Sequence, residues 1–335
     1  MNITSIGDLA RGMTLRTRAT DIKTQIETLS YEMSTGRVQD VSGRLGGDYS
    51  QILDLDRSLA RLDAFGIATS EAALFTDTMQ LSLKTFGDSV GDMTASLLAY
   101  GTANQPVNHE QASQQAKNEL DTMISALNTR VGGRSLFSGT ATDVSPLQSS
   151  NDLLTALKSQ LTGLATVADI RLAAENWFND PAGFDAVIYQ GSNSTLSPMQ
   201  ISENESVTLP ITATDPAFKA ALRDVAVAAL ATDSALALSP DQRTALFTQL
   251  GVDLANAQDA TVKLRAKVGA AEARIEEAAT RNSSARTSLD FSRNELIAAD
   301  PYETAAKLQT VQFHLESLYS VTVRNASLSL VNFLR

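Results

Sequence analysis

Catalysis and metal binding need polar groups that converge, and this sequence offers few that could. Its two histidines, His109 and His314, lie far apart in the chain, each inside a helical pattern. A catalytic or metal site needs roughly two to four converging ligands, so neither histidine is read as catalytic or metal-binding. There is no cysteine, which excludes disulfides, thiolate metal sites and cysteine nucleophiles. The run SGRLGG at 42–47 has the glycines of a phosphate loop but lacks its Lys-Ser/Thr, and reads as a connector. Carboxylate pairs such as Asp54/Asp56 and Glu276/Glu277 read as solvated helix faces. The sequon Asn193-Ser194-Thr195 carries little meaning without a secretory signal. No catalytic, cofactor-binding or metal residue is therefore assigned, no cofactor is expected, and an enzyme is not.

What the residues can do is associate. Leu15, Ala19, Ile22, Ile26, Leu29 and Met33 recur in alternating steps of four and three. That is a heptad seam, the pattern by which one helix packs along another. A second seam closes the chain: Leu308, Val311, Leu315, Tyr319, Val323, Ala326, Leu330 and Phe333, followed by Leu334. Nothing else in the sequence obviously covers either seam. Both are read as an association surface made of Leu15, Ile22, Ile26, Leu29, Met33, Leu308, Val311, Leu315, Tyr319, Val323, Leu330, Phe333 and Leu334.

The elements that position these seams are legible from stop and start signals. The first helix ends at STGRVQD, where Gly36 can take a left-handed C-cap conformation. Residues 40–50 read as a Gly-rich connector. A long stripe then runs from Ile52 through Leu59, Phe75, Leu83, Phe86 and Val90 to Leu97, and NQPVN breaks it at Pro106. Asn108 with Gln111 is expected to cap a third helix carrying Ala112, Leu120, Met123, Leu127 and Val131. Asp215-Pro216 and the box Ser239-Pro240-Asp241-Gln242 open further helices. The second of these is expected to carry Val252, Ala255, Val262, Leu264, Val268, Ile275 and Leu289. In DPYE at 300–303, Asp300 caps, Pro301 starts the last helix and Glu303 reaches back. Between these halves, 132–216 changes character, with a turn and short strand in GGRSLFSGT, helix over 151–178, and alternating runs after 184 that suggest a small antiparallel sheet.

The expected fold is mainly α: an elongated bundle of long helices built from both halves of the chain, with a small β-containing insert. Residues 1–40 plus 300–335 would form the terminal helices, 41–131 plus 217–299 the bundle, and 132–216 the insert. Ordering a terminal helix costs about 1–2 kcal/mol per residue, and a thin two-helix seam buries little, so these ends are expected to order only when subunits pack together.

Composition narrows the partners. A net charge of −11 and a pI near 4.7 argue against nucleic acid and against acidic membranes. No run approaches the ~20 apolar residues of a membrane span. The first twenty residues lack the apolar core of a cleavable secretory signal, so the chain is expected to stay in the cytoplasm or to leave uncleaved.

The paired terminal heptads resemble the flagellin family, as do EMSTGR at 32–37, LRAKVGAAEARIE at 264–276 and the ending DPYETAAKLQTVQFHLESLYSVTVRNASLSLVNFLR. The likeness covers roughly 1–140 and 217–335 and leaves the insert unmatched. GGRSLFSGT and the final SLVNFLR are more similar to the family's junction subunits than to its filament subunits. The loop VQDVSGRLGGDYSQIL departs from the Asp-rich, Ala-containing loop usual at that place. The resemblance implies a structural subunit of the bacterial flagellum, extracellular, joining hook to filament after type III export without cleavage. Its implied partners are other copies of itself, a neighbouring hook-associated protein, flagellin, and an export chaperone that covers the C-terminal helix. Filament flagellin is the near alternative, and another exported coiled-coil protein the distant one.

Overall fold

The computed structural model describes the backbone of residues 3–101 and 106–333, and the side chains of 10–101 and 108–324. The described residues contain ten helices and two short hairpins. The chain is mainly α, with a small β-containing insert. It opens with α1 (Ile3–Thr35), α2 (Val41–Arg44), α3 (Ser50–Tyr100) and α4 (Pro106–Leu127). The hairpin β1 (Arg130–Val131) and β2 (Arg134–Ser135) follows, then α5 (Ser150–Leu161), α6 (Val167–Asn179) and α7 (Phe184–Val187). The hairpin β3 (Met199–Ser202) and β4 (Glu205–Val207) precedes α8 (Pro216–Leu230), α9 (Pro240–Ile297) and α10 (Pro301–Phe333).

Most of the caps follow directly from the sequence. Gly36 has φ +68° and donates its N–H to Glu32 O at 2.8 Å, closing α1 in the left-handed conformation that glycine adopts at least cost. Asp215 accepts from the Ala217 N–H at 3.0 Å, and Pro216 takes the first helical position. Ser239 and Gln242 form the reciprocal box: Gln242 N donates to Ser239 Oγ at 3.3 Å, and Ser239 N to Gln242 Oε1 at 2.8 Å. Asp300 accepts from the N–H groups of Tyr302 and Glu303. Glu303, however, does not complete a box; its carboxylate pairs with Lys307 one turn on, at 2.7 Å. Two other expectations shift. Helix α4 begins at Pro106, whose fixed φ suits the first turn, so Asn108 lies inside it; Val131 falls in β1 beyond its end. Within the 40–50 connector, Asp40 caps the single turn α2.

The chain divides into two compact units, Ala64–Ser283 and Met1–Asp63 with Ser284–Arg335. In the first, the α3 stripe is buried as its spacing predicts: Ala72, Phe75, Met79, Leu83, Phe86, Val90, Met93 and Leu97. Helix α9 answers with Leu254, Ala257, Leu264, Val268, Ala271 and Ile275, in steps that keep one face inward. Val252 and Val262 fall off that face and are 54% and 56% exposed. Their expected place in the seam was a misreading of which stripe turns inward. Helix α8 is apolar nearly all round and buried, packed against α4, α5 and α6.

The insert combines three helices, short strands and long loops. Ser149 and Thr166 cap α5 and α6, and FDAV forms the one-turn α7. The expected sheet reduces to the β3–β4 hairpin, while GGRSLFSGT begins in the turn of β1–β2, where Gly132 and Gly133 both take positive φ. The insert shares its unit's core: Phe137 and Phe86 both meet the Phe218 ring edge-on, and Phe178, Phe184 and Trp177 cluster beside them.

Candidate assembly interface

The predicted association residues lie in the second unit, on α1 and α10. These two helices pack antiparallel, so that Leu15 and Ile22 face Leu318 and Val321, while Leu29 faces Val311. Their register is set where the chain leaves α1 and enters α10. Val38 N donates to Ile297 O at 2.9 Å and Ala299 N to Gly36 O at 3.0 Å, with Arg37 opposite Ala298. Ion pairs hold the same end of the unit together, Arg293 with Asp56 and Arg286 with Asp63, both at 2.6 Å. These pairs sit at or near the surface, where each contributes little by itself.

The seam is shallow. Leu15, Ile22, Ile26, Leu29, Leu308, Val311 and Leu315 are each half-buried, and none is fully enclosed. Met33 is 48% exposed, Tyr319 46% and Val323 69%. Leu330 and Phe333 belong to α10 by backbone, but their side chains, together with Leu334, lie outside the described residues. The structure brings together the first seven residues. It does not bring Tyr319 and Val323 into the seam.

The inward register of α10 runs Thr304, Leu308, Val311, Leu315, Leu318, a strict alternation of four and three. Sequence reasoning stepped from Leu315 to Tyr319, taking the larger apolar residue where Leu318 kept the period. Thr304, buried at the head of the seam, and Leu318 were both missed; the unbroken heptad count was the signal that could have found them. Beyond the seam, Tyr302 and Phe313 on α10 and Tyr31 on α1 stand exposed, Tyr302 at 89%.

Two open grooves run along the pair. One, about 560 Å³, is lined by Thr24, Thr28 and Leu29 from α1 and by Glu303, Lys307 and Val311 from α10. The other, about 470 Å³, lies between Leu15, Arg18 and Ile22 and His314, Leu318 and Val321. The Glu303 carboxylate beside Lys307 raises the ammonium's pKa, so the first groove keeps a paired charge on its rim. Apolar floors with polar rims suit further helices better than a small polar substrate. Among the described residues no group of three or more His, Cys, Asp or Glu side chains could hold a metal ion. No described helix is long and apolar enough to cross a membrane.

Long helices, a thin seam and grooves along it make a surface suited to helix packing. Residues 252–334 match the family described as the bacterial flagellin C-terminal helical region, which takes in most of α9 and α10. Over this region the chain is similar to the C-terminal helical part of bacterial flagellins. No curated protein matches the sequence. Among solved structures, one described as a "putative flagellar hook-associated protein" from Vibrio parahaemolyticus has a TM-score of 0.52 to this chain at 12% identity. The match covers 72% of this chain and 94% of that one, and at that identity it is a likeness of fold.

Proposed function

We propose that the chain is a structural subunit of the bacterial flagellum that joins hook to filament, in the manner of hook-associated protein 3. The observation that carries this reading is the α1/α10 pair: two 33-residue helices, one with the family's C-terminal signature, whose seam leaves every described association residue at least partly exposed. In the assembled junction, neighbouring copies fill the two grooves with their own terminal helices. In the isolated chain, α1 and α10 order only weakly, because half-burial of a narrow seam does not offset the ordering cost of two long helices.

On this reading the chain travels unfolded and uncleaved through the type III export channel, a route that a cysteine-free sequence suits. Before export a chaperone covers the C-terminal helix and the apolar residues Leu330, Phe333 and Leu334 at the end of the sequence. Outside the cell one side of the assembled ring meets a neighbouring hook-associated protein, and the other receives flagellin. Filament flagellin is the second reading. The description of the Vibrio protein and the hairpin sequence GGRSLFSGT favour the junction.

A deletion strain decides between them. Cells lacking the gene should keep complete hooks and shed unpolymerised flagellin into the medium. Complete attached filaments in that strain would refute the junction role. Purified chain added to filament seeds should also fail to elongate them, whereas a filament subunit would extend them.

A further inference from the structure

The unit Ala64–Ser283 carries two outward stripes that its own core leaves unused. On α3, Ile67, Leu74 and Leu81 are 65%, 57% and 64% exposed. They recur every seven residues, about 10.5 Å per step along the axis, on the side away from the buried Phe75–Phe86 stripe. One exposed aliphatic residue needs no explanation, but three in heptad register form a face that suits another helix. On α9, Val262, Ala266, Ala270 and Ala273 make a shallow outward stripe of small side chains, with Lys263 and Lys267 along one border. Asp259 marks its N-terminal edge. Glu71 and Asp77 flank the α3 stripe on its two sides, both exposed. Among the described residues these two acids and two lysines make no ion pair within the chain.

Shape and charge both select how the stripes combine. Large side chains on α3 fit between small ones on α9, whereas α3 against α3 would set knob on knob and acid on acid. Likewise, α9 against α9 would set lysine on lysine and leave voids between alanines. A contact between two different faces of the same molecule is heterologous, and such contacts propagate from copy to copy instead of closing at two.

We propose that the Ile67/Leu74/Leu81 face of α3 in one copy docks on the Val262/Ala266/Ala270/Ala273 face of α9 in the next. The α3 face, flanked by the acids Glu71 and Asp77, thereby meets an α9 face bordered by Lys263 and Lys267, so the contact brings opposite charges together. The proposal rests on the reading of the chain as a self-assembling subunit and names a contact made outside the terminal helices.

The absence of native cysteine makes the test direct. Full-length Leu74→Cys and Ala266→Cys variants are concentrated under mild oxidation, separately and mixed, after confirming a helical signal equal to wild type. Disulfide dimers should form in the mixture at least tenfold more than in either variant alone, and a chain carrying both changes should give a ladder of multimers. Reversing Lys263 and Lys267 to Glu should lower the mixed cross-link at least tenfold, and adding Glu71→Lys and Asp77→Lys on the partner should restore it. Dimers of Leu74→Cys alone equal to those in the mixture, no mixed dimer, or a cross-link indifferent to the charge reversal would each overturn the proposal. All the substituted side chains are exposed, so folding is not at stake. Because the cross-link is read without cells and the deletion strain without this contact, the two readings can fail separately.

Discussion

The unit Ala64–Ser283 and the unit formed by the two chain ends are both built from long helices, yet they bury very different amounts. The first has one continuous core that reaches from Ala72 on α3 to Ala278 on α9 and takes in the insert. In the second, the only buried hydrophobic side chains among the described residues are Leu59 and Ile297. Helix length is the same kind of quantity in both units; depth of packing is not. A helix that touches a single neighbour encloses one side of one stripe, whereas α8, surrounded by α4, α5 and α6, hides nearly all of itself. Since most helical stability in proteins comes from tertiary packing, the first unit is self-sufficient. On the proposed reading, the second is completed from outside.

The comparison can be broken most sharply by making the same kind of deletion in each unit. Leu83 is fully buried, so Leu83→Ala should cost about 2–5 kcal/mol, read as a lower denaturant midpoint of the main unfolding transition. A second test asks about charge inside the first unit. Asp224 on α8 is 2% exposed, and burial pushes its carboxyl up from 3.8 to about 6, against the pull of Arg223, hydrogen-bonded at 2.7 Å. The folded state therefore holds this proton more tightly than the unfolded one. The resulting stabilisation is complete below pH about 4 and is lost as pH rises to about 6. Asp224→Asn should remove that slope, worth up to about 3 kcal/mol, from stability measured between those pH values. An unchanged slope would show that other groups carry it.

Smaller effects belong to the second unit. Gly36→Ala places a side chain where φ is +68°, at a cost of about 1–2 kcal/mol. It should loosen the joint at Val38 and Ala299, visible as faster amide exchange there with the main transition unmoved. Smallest of all, Leu315→Ala in the half-buried seam should leave the midpoint of the isolated chain unchanged within error, yet abolish incorporation into flagella. If Leu315→Ala destabilised the isolated chain as much as Leu83→Ala, the two units would not differ as described.

Much of this was legible in the residues themselves. Caps are local chemistry, and Gly36, Asp215, Ser239 with Gln242, and Asp300 behave as their types require. Buried stripes were readable where a helix has one apolar face, as on α3. They were misread where it has two. Val262 on α9 and Tyr319 on α10 lie on second stripes, and periodicity cannot say which stripe meets the chain's own core. The insert's small antiparallel pairing is present as β3–β4, while FDAV at the start of the alternating runs is the one-turn α7, because β-branched and Gly-Ser-Asn runs mark loops and short helices as well as strands. Half-burial of the α1/α10 seam was foreseeable only as a thin pattern; its two grooves depend on which helices pair, a property of the folded chain.

The central claim is that the terminal pair is incomplete in the single chain and completed by assembly. Amide hydrogen exchange on the full-length isolated chain tests it most directly. The account predicts that residues of α1 and α10 exchange orders of magnitude faster than Leu83, Phe86 and Val90 on α3, and gain protection when the chain is incorporated into flagella. Protection of α1 and α10 in the isolated chain equal to that of α3 would contradict it.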